Sequence, residues 1–351
     1  MAVRVYLKQA WNLMKQNPLF STLYIVGTGI SIVMTMVIAI VYYVRLAPVY
    51  PETNRMRTLV VKSAKMTNDE STHSANISYA MLKDWFYSLE SAEVSTGVSG
   101  TSYARVTNDK EEIPTYARYT DENFFRVFPL VFLEGKPFTE ADRRSGIHNV
   151  VLTDSYAQQL FGTTKGVVGK NFLMDYTNVK VVGVVKSGSF LTPDSYAQVY
   201  LPYSCRDGYD DEGSHWALGG YRVYILMKES KSVTDVQDEV LELVRKFNVS
   251  DMGDGWKLDL VGQPELYWHS TFRLWSNVAV DWGRVIWMFV GIFMALLFVP
   301  AFNLSGMISA RMERQLPDLG IRKAFGASRR RLLVQIIWEN LLLTGLGTLL
   351  G

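Results

Sequence analysis

The run LFSTLYIVGTGISIVMTMVIAIVYYV, Leu19 to Val44, contains no charged residue, and neither does the rest of the chain between Lys15 and Arg45. It exceeds the roughly 20 residues that an α-helix needs to cross a bilayer. A cleaved signal peptide has a shorter apolar core and a small-residue cleavage site. This run instead leads into Arg45-Leu46-Ala47-Pro48, so it reads as an uncleaved anchor. A second uncharged run, VIWMFVGIFMALLFVPAFNLSGMISA, fills the interval between Arg284 and Arg311. Its length also fits a span, and Pro300 in its interior predicts a kink. A third apolar run begins near Leu332, and the sequence stops at Gly351 inside or at the end of it, so a fragment of a longer chain is expected.

Positive charge orients these spans. Residues 1–18 carry Arg4, Lys8 and Lys15 and no acid. The 311–331 segment carries Arg311, Arg314, Arg322, Lys323, Arg329, Arg330 and Arg331 against Glu313 and Asp318. Both belong on the cytoplasmic side, which leaves everything between the first two spans outside. Tyr42, Tyr43, Trp275, Trp282 and Trp287 then fall where an outer aromatic belt is expected. Val3, Leu7, Ala10, Trp11 and Met14 recur at helical spacing, opposite Lys8, Asn12 and Lys15. They form either an amphipathic helix on the inner membrane surface or an extension of the first span.

Composition narrows the function classes. With 36 Lys+Arg against 34 Asp+Glu the net charge is +2, so no global field marks a nucleic-acid binder. The single cysteine, Cys205, allows no internal disulfide and reads as a structural residue. His73, His148, His215 and His269 are scattered and form no local metal-ligand spacing. TTKGVVGKN resembles a phosphate loop only briefly, because Gly166 and Gly169 are too close and Asn171 follows Lys170. GTSYA at Gly100–Ala104 lacks the second glycine of a nucleophile elbow. Phe124, Phe125, Trp85 and Trp216 read as core or contact surface rather than as a cofactor site. No catalytic residue, cofactor or metal is assigned.

In the outer region, 56–63 reads as a strand, 78–89 as an amphipathic helix and 93–106 as extended. Residues 221–228, 232–247 and 256–261 repeat the strand–helix–strand pattern. Two such β-α-β units share one sheet with helices on one face. The stretches NVVLTD, GKNFLMDYTNVKVVGVV and AQVYLPY mark an inserted β-rich subdomain, with one helix near 154–161.

The segment LGIRKAFGASRRRLLVQIIWENLLLTGLG, with Arg311 and Arg314 before it, resembles the signature of the FtsX-like permease family. NFFRVFPLVFLEGKPF, VVLTDSYAQQLFG, VVGKNF and VVGVV resemble the MacB-like periplasmic core, and they occur in that family's order. Pro317 and Asp318 depart from the family pattern just before the motif. The resemblance implies a membrane protein with α-helical spans and an α+β extracytoplasmic domain, made of two β-α-β units and an inserted β-rich subdomain. It gives this plan: cytoplasmic helix 1–18, first span 19–44, outer domain 45–283, second span 285–310, coupling segment 311–331 and an incomplete third span 332–351. Within the outer domain the porter-like parts are 50–119 and 219–265, and the insert is 120–218. The implied activity is that of a type VII ABC transporter permease in a bacterial inner membrane. ATP would be bound by a partner cytoplasmic ATPase, since this chain has no Walker motif, and a second permease copy or half would complete a dimer. Membrane lipids and a periplasmic protein are further expected partners; nucleic acid is not. The alternative is an anchored scaffold or sensor that regulates a periplasmic partner such as a cell-wall hydrolase.

The resemblance assigns ATPase coupling to Leu319, Gly320, Ile321, Arg322, Lys323, Ala324, Phe325 and Gly326. The residues themselves agree with a short surface helix. Pro317 and Asp318 suit its first turn, Ile321, Ala324 and Phe325 share a face, Gly326 suits its end and Ser328 caps the next helix. The following arginines oppose that helix's dipole by about 0.3–1 kcal/mol each, which topology, lipid phosphates or an acidic partner would offset. Glu339 lies roughly 12 Å along the helix from Arg331. At that depth it either hydrogen-bonds across helices, with Asn303 as a candidate, or reaches the headgroups.

Overall fold

The computed structural model describes residues 18–296, apart from 101, 109–110, 207, 210–215 and 251–254, together with isolated helical positions beyond. Residues 1–17 of the expected first helix lie outside the described residues, and the expected third span is described only at Ile337, Trp338, Leu341 and Gly345, which are helical. The chain divides into a helical unit, Met1–Tyr42 with Trp282–Gly351, and an outer unit, Tyr43–Asp281.

Helix α1, Pro18–Leu46, is long and apolar enough to cross a membrane by length and composition. Two of its hydroxyls find partners in its own backbone. Ser31 Oγ donates to Gly27 O at 2.9 Å and Thr35 Oγ1 to Ser31 O at 2.8 Å, so each is satisfied within the helix.

The outer unit begins with β1 (Thr58–Val61), β2 (Ala64–Thr67) and β3 (Thr72–Ile77), followed by α2 (Tyr79–Asp84) and β4 (Ala92–Ser99). Ser78 starts α2 by accepting from Met81 N at 3.0 Å. Two more strands, β5 (Ser102–Asn108) and β6 (Glu111–Thr120), lead into the short α3 (Phe124–Val127), β7 (Phe132–Gly135) and α4 (Glu140–Arg144). Next come β8 (Asn149–Thr153), α5 (Asp154–Phe161), β9 (Asn171–Met174), β10 (Thr177–Val185) and β11 (Val199–Pro202). The chain closes through β12 (Leu218–Gly219), β13 (Tyr221–Met227), α6 (Val233–Val249), β14 (Lys257–Asp259) and β15 (Glu265–Leu266). Ser232 and Asp235 form a capping box at the start of α6.

In the first sheet β13 lies between β1 and β4, and β1 lies between β13 and β15, all antiparallel. The two β-α-β units therefore interlock, each leaving a gap that a strand of the other fills. Alternation along the central strands serves two cores. Leu59, Val61, Val223 and Ile225 face α2 and α6, where Trp85, Val236, Val240 and Phe247 complete one cluster. Val60, Tyr224 and Leu226 face the other way, onto Phe124, Phe125, Phe128 and Tyr200. Both faces are covered, so these strands read as nearly unbroken apolar runs.

The second sheet runs β7-β10-β8-β11-β6-β5-β9, and β9 also pairs with β10. It therefore closes into a barrel of β10, β8, β11, β6, β5 and β9, with β7 outside the ring on the second half of β10. Closure removes the free edges that an inserted sheet would otherwise expose. Ala104, Val106, Ala117, Val150, Leu152, Met174, Val181 and Val199 fill the inside. Helix α5, which follows the C-terminal end of β8, sends Tyr156 and Leu160 into the same cluster, and Tyr156 Oη meets Thr115 Oγ1 at 2.5 Å.

Two boundaries differ from the sequence reading. The insert begins at Ser102, not 120: the stretch expected to be one extended segment breaks into β4 and β5, which join different sheets. The second unit closes with β15 beside β1. The expected strand 256–261 contains β14, which pairs with β2 at the far edge. The chain leaves the outer unit into α7, Trp282–Leu296, an apolar helix whose Phe289 ring lies 5.0 Å from Tyr42 of α1. Gly291 is exposed there, and a Cβ on it would meet open space among the described residues.

Gly135 joins β7 to the barrel at φ 71°, where a Cβ would meet Val182 O at 2.1 Å and Gly183 Cα at 2.9 Å. Gly135→Ala should therefore destabilise the outer unit by roughly 3 kcal/mol. Gly100→Ala, which meets nothing within 4 Å, should stay within about 0.5 kcal/mol. Thermal or denaturant unfolding of the two variants checks the contrast.

Candidate functional site

The segment assigned to ATPase coupling is described only at Ile321 and Ala324, which are helical and exposed. Leu319, Gly320, Arg322, Lys323, Phe325, Gly326, Asn303 and Glu339 lie outside the described residues. The sequence reading missed two buried polar junctions in the outer unit.

The first junction starts where α1 ends. The last carbonyls of a helix have no partner within it. Arg55 supplies one, donating from Nη1 to Val44 O at 2.6 Å and Ala47 O at 3.0 Å. A cation there also complements the helix dipole. Its Nη2 pairs with Glu52, whose other carboxylate oxygen accepts from Ser195 Oγ at 2.7 Å. The guanidinium lies 5.2 Å from the Tyr267 ring centre. The Arg55 and Glu52 side chains are 2% and 0% exposed. Burial raises the Glu52 pKa and Arg55 acts against that rise.

Ser195 belongs to the loop between β10 and β11, and a second charged group holds the same loop. Arg118 of β6, nearly fully buried, donates to Pro193 O at 2.7 Å and Tyr196 O at 3.1 Å. Asp194 sits beside Arg222 Nη1 at 3.1 Å and Lys62 Nζ at 4.0 Å. Burial alone would raise its pKa, but Lys62, Arg222 and Arg118 outweigh that and hold it at about 2. One loop of the barrel lobe is thus fastened to the end of α1, to the barrel wall and to the first sheet.

The second junction lies where the chain passes between the lobes. Asp121, after β6, is fully buried and accepts from Thr96 Oγ1 at 2.6 Å, Gly97 N at 3.0 Å, Phe124 N at 3.1 Å and Tyr87 Oη at 2.5 Å. Burial still pushes its pKa up to about 6. Tyr87 Oη lies 3.3 Å from Tyr203 Oη, to which Arg143 Nη1 donates at 2.9 Å. Arg143 also forks onto Glu122 at 2.8 and 3.1 Å. These residues come from both lobes, so the network ties the crossing strands together. Nearby, burial pushes the Cys205 thiol up to about 12, which makes it a poor nucleophile and fits a structural role.

These carboxylates have opposite pH signatures. The stabilisation from Asp194, whose pKa is depressed, is present above about pH 4 and lost as pH falls toward 2, roughly 2 kcal/mol. The contribution of Asp121, whose pKa is raised, is full below about pH 4 and lost as pH rises through 6. Thermal unfolding between pH 2 and 7 should show Asp194→Asn flattening the acid side of the profile and Asp121→Asn flattening the decline between pH 4 and 6. Profiles parallel to wild type would contradict the assignment.

The family described as MacB-like periplasmic core domain matches residues 20–243, and FtsX-like permease C-terminal matches 287–351. The macrolide export ATP-binding/permease protein MacB of Bdellovibrio bacteriovorus is 23% identical over 220 residues, covering 62% of this chain and 32% of that protein. YvrN of Bacillus subtilis, an uncharacterized ABC transporter permease, is 22% identical over 249 residues, covering 66% and 54%. The matches thus span about a third to a half of the length of these curated relatives. The periplasmic region of MacB from Actinobacillus actinomycetemcomitans is a solved structure with TM-score 0.41 and 18% identity, covering 56% of this chain and 88% of that one. With an α+β outer domain of two interlocked β-α-β units and an inserted β-rich lobe, preceded by an apolar helix, this chain belongs to the FtsX-like ABC permeases that carry a MacB-like periplasmic core domain.

Proposed function

We propose that this chain is a permease subunit of a type VII ABC transporter, carrying ATP-driven motion from a separate cytoplasmic ATPase to its outer domain. The observation that carries this reading is the pairing in one chain of the core-domain match over 20–243 with the permease match over 287–351. The first junction supports it physically. A displacement of the last turn of α1 moves Arg55, and through Glu52 and Ser195 the loop between β10 and β11. Export, lipoprotein handling or peptide resistance would use such motion without passing substrate through the bilayer. In this reading ATP is bound by the partner, and no residue of this chain is catalytic or holds a cofactor. A second copy or half completes a dimer in the inner membrane, with lipids around the spans and the large domain on the periplasmic side.

The coupling helix gives the direct test. Phe325→Asp and Arg322→Glu, in protein that inserts normally, should each lower stimulated ATP turnover by about tenfold or more and weaken co-purification with the ATPase. Unchanged turnover and unchanged complex formation would remove the coupling role of 319–326. A chain that copurifies with a periplasmic hydrolase and no ATPase would instead favour the scaffold reading.

A further inference from the structure

Near the end of the outer unit three large apolar side chains stand bare in one short stretch. Leu274, Trp275 and Val278 are 68%, 67% and 49% exposed. No charged residue lies between Arg273 and Asp281. Exposed apolar residues scattered singly need no partner, but a cluster of them marks a contact surface.

The turn that presents them is built, not loose. Val278 N donates to Trp275 O at 3.2 Å, which closes a β-turn over 275–278. Ser63 Oγ, from the loop between β1 and β2, donates to Ser276 O at 2.5 Å. Arg273 Nη1 donates to Val278 O at 2.5 Å. Arg273 also donates from Nη2 to Val261 O at 3.2 Å and from Nε to Glu265 Oε1 at 2.7 Å. The Arg273 and Glu265 side chains are 2% and 8% exposed, so this ion pair holds the turn from inside and adds no charge to its surface. The carbonyls of Trp275, Ser276 and Val278 thus have donors within the protein, while the side chains of Leu274, Trp275 and Val278 face outward.

The bilayer interface asks for this combination. Water is scarce below the headgroups, so backbone groups there need protein partners. Tryptophan is enriched at that level because its ring is apolar and its N–H polar. The chain itself leads to this partner, since the apolar helix α7 begins four residues after Val278, at Trp282.

We propose that Leu274, Trp275 and Val278 insert into the outer leaflet as a foot of the outer unit, with phospholipid as the partner. Ser276 and Asn277, between them, keep the foot at headgroup level instead of in the hydrocarbon. The foot requires a chain anchored in the bilayer and does not require an ATPase.

The test is spin-label accessibility on the full chain in phosphatidylcholine nanodiscs, with Cys205→Ala removing the native thiol. Nitroxides go one at a time onto Leu274→Cys and Val278→Cys, which leaves Trp275 intact. Ile30→Cys in α1 is the lipid reference, and Lys231→Cys, in the charged stretch Lys228–Lys231, is the water reference. Oxygen partitions into lipid and a nickel chelate stays in water. The oxygen-to-nickel collision ratio at 274 and 278 should exceed that at 231 by roughly threefold or more. Trp275→Asp, at an exposed position, should bring both ratios to within about 1.5-fold of that at 231. Ratios at 274 and 278 equal to that at 231, with 30 still reporting lipid, overturn the foot and leave the anchor standing. Loss of lipid contact at 30 as well removes the anchor and the foot with it. Low collision with both reagents at 274 and 278 means that a second copy or another protein covers the turn, and it overturns the proposal. So do high ratios that Trp275→Asp leaves unchanged.

Discussion

Arg55 stands where an apolar helix must stop. The last carbonyls of α1 need donors, and an apolar side chain could fill the space without supplying them. Arg55 supplies them and is buried in doing so, which requires a counter-charge, and Glu52 is that charge. Glu52 in turn requires further donors, and Ser195 brings one from a distant loop. Each buried polar group makes the next one necessary, because an unpaired charge away from water costs several kcal/mol. The chain of necessity ends in the barrel lobe, so hydrogen bonds and a buried charge pair join the end of the helix to the loop between β10 and β11.

The rest of the outer unit follows the same logic on a larger scale. The first sheet buries one face under its own helices and the other against the barrel lobe, through Phe124, Phe128 and Tyr200. Apolar contact of this kind is strong but not directional. Orientation comes from the polar groups set around it: Arg118 gripping backbone carbonyls, Asp194 among its cations, and Asp121 receiving four donors. The two lobes are therefore cemented by aromatic packing and aligned by buried charge.

What was legible in the sequence was local. Helix α6 announces itself through Val236, Val240, Val244 and Phe247 and the Ser232–Asp235 box, and α5 falls at the expected 154–161. The membrane anchor follows from the absence of charge alone. The hairpin of β2 and β3 was invisible because Thr72–Ile77 is mostly polar and exposed. The insert boundary was misplaced because 93–106 reads as one extended stretch, and only pairing partners tell β4 from β5. The junctions had no local signal: Glu52 and Ser195 are 143 residues apart, and Thr96 and Asp121 meet only when the strands cross. The coupling role proposed for 319–326 rests on resemblance alone, since a short basic helix between spans also fits a purely topological role.

The proposed coupling would carry motion from the membrane into the outer domain through Arg55, Glu52 and Ser195. Amide hydrogen exchange of residues 186–196, compared between nucleotide-free and ATP-trapped complexes of the chain with the proposed partner ATPase in nanodiscs, measures that passage directly. The account predicts that exchange in this loop changes by about tenfold between the two states, while the barrel strands β8 and β11 keep their protection. Identical exchange in both states, in a complex that turns over ATP, would contradict it.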